Sequence, residues 1–261
     1  MSPTHEFDGE QYKKASAHQT SWGEIMVESL PLMGTEHILD IGCGDGRVTA
    51  KIASRVPDGQ VLGIDASKSM IASAKQYETK NLHFCVEEVS KLTFYHKFDV
   101  VFSHAALHWV LDHDILLEKI YAVLRPGGYA RLNFAGKGTC PRLIKVLKEL
   151  MKQSAFSKYF TNFIWPWYMP STREYQIISE LSPFRNVDIS KENKKRIFPS
   201  EDSLIKWIDQ PCLVPFLEVL DKNNKQQFRD EVIHQMLSKT RQLEGNLSEE
   251  FCRIDVFAKK I

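Results

Sequence analysis

HILDIGCGDGRVTAKI, residues 37–52, carries more information than any other part of this chain. A short apolar run ends at Asp40, Gly42, Gly44 and Gly46 then fall on alternate positions, and a helix-like pattern opens at Arg47. Glycine at such a turn removes Cβ, permits a positive φ and lets a ligand lie against bare backbone. Two kinds of ligand use a glycine turn after a first strand: the pyrophosphate of a dinucleotide, and a smaller nucleoside without phosphate. The dinucleotide fingerprint needs G-x-G-x-x-G, its third glycine allowing close helix–strand contact. Here the spacing is G-x-G-x-G, and Arg47 stands where that third glycine belongs. A nicotinamide oxidoreductase is therefore disfavoured.

Outward from this stretch, short apolar runs alternate with helical patterns. EHILDIG is followed by a helix from about Arg47, QVLGIDA by a helix from about Ser67, then LHFCVE, FDVVFSH, a helix near 113–124, and GGYARLNF after the turn LRPGG. Ser67 is a plausible N-cap for SKSMIASAKQY, although position 70 is Met rather than a capping-box acid. RPGG has turn chemistry that stops a helix before the next strand. Alternation of this kind means parallel strands in a doubly wound α/β sheet. Upstream, residues 11–33 place Tyr12, Ala15, Trp22, Ile25, Met26 and Leu30 at helical spacing, one or two amphipathic helices.

After residue 136 the character changes. A helical stretch (about 140–153) leads into FSKYFTNFIWPWYMP, then a strand near 186–198, then two or three amphipathic helices over about 200–243. EEFCRIDVFAKK closes the chain as an alternating strand. The expected organisation is N-terminal helices and a cofactor-binding half over 1–136, a helical cap and substrate region over 137–250 with one core strand, and a terminal strand over 251–261, all in one structural unit.

The chain has 261 residues, 34 basic and 33 acidic side chains, and a net charge of +1. It is long enough to bury a core unaided, and the charge balance argues against nucleic acid or a membrane surface as partner. The one dense basic run, KENKKR at 191–196, reads as a solvated strand edge or loop. Five scattered cysteines (43, 85, 140, 212, 252) show no metal-ligand spacing, so no metal is expected and a reducing compartment is. MSPTHEFDGEQYKK lacks the apolar core of a signal peptide, and no run approaches the ~20 apolar residues of a membrane span. A cytoplasmic protein, monomeric or weakly dimeric, is expected.

Asp40 at the first strand's end is positioned to face a cationic ligand group, and Asp65 at the second's to accept from both ribose hydroxyls. Two carboxylates and bare backbone suit a phosphate-free nucleoside that carries an ammonium group, such as S-adenosylmethionine. LDIGCGDG resembles the first motif of class I S-adenosylmethionine-dependent methyltransferases, and VLGIDAS their acidic second motif. FCVEEVSKLTF resembles the third, with Glu88 in the place more often held by Asp, FDVVFSHAALHWVLD the fourth, and LRPGGYARLNF the fifth. FDGEQYKKASAHQTSWGEIMVESL is similar to the opening helix of small-molecule methyltransferases, whose Tyr and Gln close the cofactor pocket. FPSEDSLIKWIDQPCLVPFLEVL and EGNLSEEFCRIDVFAKK resemble the C-terminal half of the trans-aconitate, malonyl carrier-protein and juvenile hormone acid methyltransferase group.

The resemblance implies a Rossmann-like, mostly parallel seven-stranded sheet with an antiparallel last strand and a helical cap. It implies S-adenosylmethionine as cofactor, S-adenosylhomocysteine as product, and transfer to a small molecule, foremost a carboxylate oxygen. Cofactor contacts are expected at Tyr12, Gln19, Asp40, Gly42, Cys43 (through its backbone N–H), Gly44, Gly46, Asp65, Ala66, Met70, Glu88, Val89, Ser103, His104 and Trp109. Displacement at a sulfonium methyl mainly requires alignment, which is worth about 7–11 kcal/mol. A carboxylate of pKa roughly 4 needs no general base. It must be desolvated and held by positive or hydrogen-bonding groups. His104 and His108 are the candidates beside the fourth strand, with Trp165, Trp167, Tyr168, Arg173, Arg196 and Arg241 in the cap. Each has a structural competitor: His108 as a cap or packing residue, the aromatics as cap core, the arginines as surface. A phenol, amine, carbon or carrier-bound acyl acceptor is the alternative, and a catalytically silent cofactor-binding module the rival of another class. FSHAAL lacks the Asn/Asp-Pro-Pro-aromatic turn of nucleic-acid base methylation.

Overall fold

The computed structural model describes residues 5–9, 12, 15, 17–241 and 246–261. Parts of the expected opening helix (residues 10, 11, 13, 14 and 16) and the end of the last helical stretch (242–243) therefore lie outside the described residues. The apolar runs of the first half form five parallel strands: β1 (His37–Ile41), β2 (Gln60–Asp65), β3 (Leu82–Val86), β4 (Phe98–His104) and β5 (Leu124–Ala135). The second half adds β6 (Asn186–Phe198) and β7 (Leu247–Lys259), giving a seven-stranded sheet in the order β3-β2-β1-β4-β5-β7-β6. β7 slots between β5 and β6 and is antiparallel to both. It starts at Leu247, earlier than residue 251 as expected from sequence.

Strand order reverses at β1, which has β2 on one side and β4 on the other. In an open α/β sheet a ligand crevice forms beyond the strand ends at such a switch point. Val100, Val101 and Phe102 of β4 are buried on both faces, as an inner parallel strand requires. α1 (Ala17–Glu28), α2 (Arg47–Arg55) and α3 (Lys68–Ala74) cover one face, burying Met26, Val27, Ile52 and Ile71 against β1 and β2. Ser67 caps α3 by accepting from the Met70 N–H at 3.3 Å. α4 (His113–Val123) covers the other face with Leu116, Leu117, Ile120 and Val123, and Asp112 caps it by accepting from the Ile115 N–H at 3.0 Å. RPGG does not end one element and open the next. Pairing jumps from Phe98–Leu124 to Val100–Tyr129, so these residues bulge within β5.

The cap is built from α5 (Pro141–Leu150), α7 (Glu201–Asp209), α8 (Val214–Glu218) and α9 (Lys222–Thr240) around its own apolar cluster. α6 (Thr172–Leu181), which the sequence places in the cap region, instead packs Tyr175 and Ile178 into the sheet core beside α4. α9 buries Phe228, Val232, Met236 and Thr240, one residue in every four, a narrow apolar stripe along an otherwise polar helix. No helix among the described residues is long and apolar enough to cross a membrane. Phe228 lies between Phe156 and Phe160 with no exposed surface. Phe228→Ala is expected to cost about 3–5 kcal/mol. Urea unfolding should show this as a lower midpoint in a single transition, whereas a separate early transition would show that cap and sheet unfold independently.

Candidate active site

The chain leaves β1 through three glycines with positive φ: Gly42 at 72°, Gly44 at 56° and Gly46 at 83°. Each serves a different purpose. A Cβ on Gly42 would lie 2.1 Å from the Ala106 Cβ, so the turn after β1 touches the turn after β4. A Cβ on Gly44 would meet nothing within 4 Å, leaving its backbone open to the cavity. A Cβ on Gly46 would strike Ala74 and Phe84 at 2.9 Å, so this residue lets α2 approach the sheet. Opposite, Asp65 accepts from the Gly44 N–H at 3.0 Å and the Ser67 N–H at 2.9 Å. Burial raises its carboxyl above the ordinary range, with these two bonds opposing.

These elements wall a cavity of about 430 Å³ at the switch point. Twelve of the residues named from sequence line it: Tyr12, Gln19, Gly42, Cys43, Gly44, Asp65, Ala66, Met70, Glu88, Val89, His104 and Trp109. Four expectations need correction. Asp40 is buried behind the wall and accepts from the Thr49 hydroxyl at 2.7 Å, tying α2 to β1, with burial pushing its carboxyl up to about 7. Ser103 donates to the Ile41 carbonyl at 2.7 Å within the sheet. Gly46 packs away from the cavity, and the Cys43 N–H is already donated to the Ile64 carbonyl at 3.0 Å.

The cap residues named from sequence do not line this cavity either. Trp167 and Trp165 form an aromatic chain behind Trp109, with ring centroids 5.8 Å and 5.4 Å apart along it. Tyr168 ties the cap to the turn after β4 by donating its N–H to the His108 carbonyl at 2.8 Å. Arg173 is exposed on α6, and Arg241 forms an ion pair with Glu201 at the surface. Arg196 donates to His18 Nε2 at 3.2 Å and stacks over Phe198.

Behind His104 lies a polar cluster that sequence reasoning missed. Arg253, in the middle of β7, is 4% exposed and, among the described residues, donates only to Asn133: Nε at 2.8 Å and Nη2 at 2.5 Å to its side-chain oxygen, and Nη2 at 3.1 Å to its carbonyl. Among the described residues no carboxylate is hydrogen-bonded to it. Its cross-strand neighbour Glu192 turns to Lys194. Burial lowers the guanidinium to about 10. Around it stand His18, His104 and His108, each with a buried Nδ1 that has no partner among the described residues. Burial pushes them down to about 2, 3 and 3, with Arg196 and Arg253 acting on His18 and Arg253 on the other two in the same sense. His108 therefore belongs to this cluster rather than to the cavity wall. The signal for Arg253 was an arginine in a strand of otherwise alternating apolar residues.

Comparison with known proteins agrees with this geometry. Residues 38–128 match the family described as methyltransferase domain. The chain is 27% identical to a trans-aconitate 2-methyltransferase of Deinococcus radiodurans over 227 residues, 85% of this chain and 86% of that one. It is 26% identical to a trans-aconitate 2-methyltransferase of Escherichia coli over 252 residues, 96% of each chain. It shares its fold with a solved loganic acid methyltransferase with S-adenosylhomocysteine, at a TM-score of 0.72, 13% identity and 99% coverage of each chain.

The buried imidazoles make stability depend on pH. His18, His104 and His108 sit at about 2, 3 and 3, and His113, also buried, at about 4. Unfolded histidines titrate near 6.5, so below that pH the unfolded chain binds more protons and stability is lost. Asp40, raised to about 7, and Asp65, also raised, take up protons at higher pH in the folded state than in the unfolded chain and act in the opposite sense. Four imidazoles outweigh two carboxyls. The denaturation midpoint should fall between pH ~7 and ~5, each histidine contributing up to about 1.4 kcal/mol per pH unit. A flat profile would show these rings to be hydrated.

Proposed function

Because the chain is an S-adenosylmethionine-dependent methyltransferase, we propose that it methylates a carboxylate oxygen of a small acid. When bound, S-adenosylmethionine supplies an electrophilic methyl on a sulfonium sulfur. The open backbone at Gly44 and the Asp65 carboxylate are a cradle of the right chemistry for the nucleoside, with Met70, Glu88 and Val89 beside them along the cavity. Tyr12, Gln19, His104 and Trp109, named from sequence as cofactor contacts, line the same cavity.

The observation that carries the acid reading is Arg253. Arg253 is buried behind His104 with no carboxylate hydrogen-bonded to it among the described residues, and its charge, offset in part by Glu192, favours an anionic acceptor in the cavity. The three imidazoles around it add polar atoms that also lack partners. The relatives named for trans-aconitate, a carboxylic acid, point the same way. A hydroxyl or amine acceptor is the second reading.

A turnover screen reading out S-adenosylhomocysteine tests both readings. Its panel holds trans-aconitate and other di- and tricarboxylates, fatty and terpenoid acids, a malonyl thioester, phenols and amines. Ester formation from one acid class is expected. Turnover confined to phenols or amines would replace the first reading with the second, and cofactor binding without any turnover would favour a silent binding module. For the esterified acid, Arg253→Gln should raise KM by about tenfold, through loss of a positive charge behind the wall rather than of a direct contact. S-adenosylhomocysteine affinity should stay within about twofold, because Arg253 stands behind His104, away from the turn at Gly44 and Asp65. An unchanged KM would make Arg253 purely structural.

A further inference from the structure

We infer that the pair formed by Asp45 and Arg47 holds the amino-acid end of the cofactor, Asp45 taking its ammonium group and Arg47 its carboxylate. This rests on the nucleoside cradle at Gly44 and Asp65, and not on the identity of the acceptor. Asp40, which the sequence offers for a cationic ligand group, is tied to Thr49 behind the wall, so that group has to be met elsewhere. Arg47 stands where a dinucleotide fold keeps its third glycine, and it lines the cavity.

Five carboxylates line the cavity: Asp45, Asp65, Glu87, Glu88 and Asp112. Asp65 belongs to the cradle, bonded to Gly44 and Ser67. Glu87 accepts from the Glu88 N–H at 3.0 Å, Glu88 pairs with Lys91 at 2.7 Å, and Asp112 caps α4. Asp45 alone comes from the turn after β1. Arg47, the first residue of α2, sets Nε and Nη2 each 2.8 Å from its Oδ2, and donates its backbone N–H to Oδ1 at 3.3 Å. Among the described residues of the wall, Arg47 is the only lysine or arginine.

The sheet sets this pair beside the cradle. In the order β3-β2-β1-β4, Glu88 and Val89 follow β3, Asp65 ends β2, and Asp45 and Arg47 follow β1. A nucleoside in the cradle leaves the turn after β1 for the rest of the molecule. Tyr12 stands near both Asp45 and Asp65: burial first, and then their charges, raise its phenol, so it stays an O–H donor. An amino acid carries ammonium and carboxylate on one carbon, and a carboxylate beside a guanidinium is its complement. Arg47 already holds Asp45 in place, so little has to be ordered when the ligand arrives. Both side chains are largely shielded from water, which strengthens charge-assisted hydrogen bonds.

A pair that merely braced the turn before α2 would be blind to the ligand's tail, and ligands trimmed at that end separate the two roles. They are titrated calorimetrically at neutral pH with no acceptor present: S-adenosylhomocysteine, decarboxylated S-adenosylmethionine, which keeps the ammonium group, and 5′-methylthioadenosine, which has neither group. Asp45→Asn should weaken the first two by about tenfold and leave the third within about twofold. Arg47→Gln should weaken S-adenosylhomocysteine by about tenfold and the decarboxylated ligand by less than about threefold. Folding of each variant is checked by Tm. Equal losses for S-adenosylhomocysteine and 5′-methylthioadenosine would overturn the inference and leave the pair as a brace, and so would unchanged affinities. The unaltered protein gives a check that no folding defect can blur: S-adenosylhomocysteine should bind at least about tenfold more tightly than 5′-methylthioadenosine, and equal affinities would also overturn the inference. Failure of the acid reading is seen separately, in the turnover screen.

Discussion

The loops that follow β1 and β4 press against each other where Gly42 meets Ala106, and the cavity depends on that contact. No residue with a Cβ fits there, and Ala105 itself takes a φ of 58° to complete the second turn. With the loops locked together, Gly44 is presented as open backbone on one side and His104 is held at the strand end on the other. The sheet contributes the switch point, and this contact gives it a floor. Asp65, bonded to Gly44 and Ser67, joins the turn after β1 to the turn after β2 at the same level.

A second constraint comes from the far end of the chain. β7 threads between β5 and β6, so Arg253 enters the middle of the sheet and meets Asn133 of β5. Its charge and the burial around it keep three imidazoles neutral. The same arrangement that weakens the fold in acid therefore sets an electrostatic field at the inner wall of the cavity. Stability draws on this cluster, and under the proposed acid reading a substitution there acts on acceptor binding as well.

Much of this was legible in the sequence because it is local. The glycine spacing, Asp65 at a strand end, the Ser67 cap and the strand at 186–198 each follow from a few neighbouring residues. What was not legible depends on which side of an element a residue faces, or on which distant segment it meets. Asp40 and Asp65 both sit at strand ends, yet Asp40 meets Thr49 of α2 while Asp65 meets the cavity. Trp165 and Trp167 read equally as pocket or packing residues, and Trp109 standing in front of them determines the outcome. Arg253 could not be read as buried until β7 was known to lie inside the sheet rather than at its margin.

That inward placement leaves β6 as the margin. It is a 13-residue edge strand, paired on one side only, and it carries the basic run at 191–196. A long open edge is a template on which another molecule's strand could add. Two copies meeting here would bring the exposed Lys191 and Lys195 of one against those of the other, and like charges would oppose the pairing. Exposed lysines on an open edge disfavour edge-to-edge pairing, so the same run that reads as a solvated margin also sets the cost of adding a strand to it.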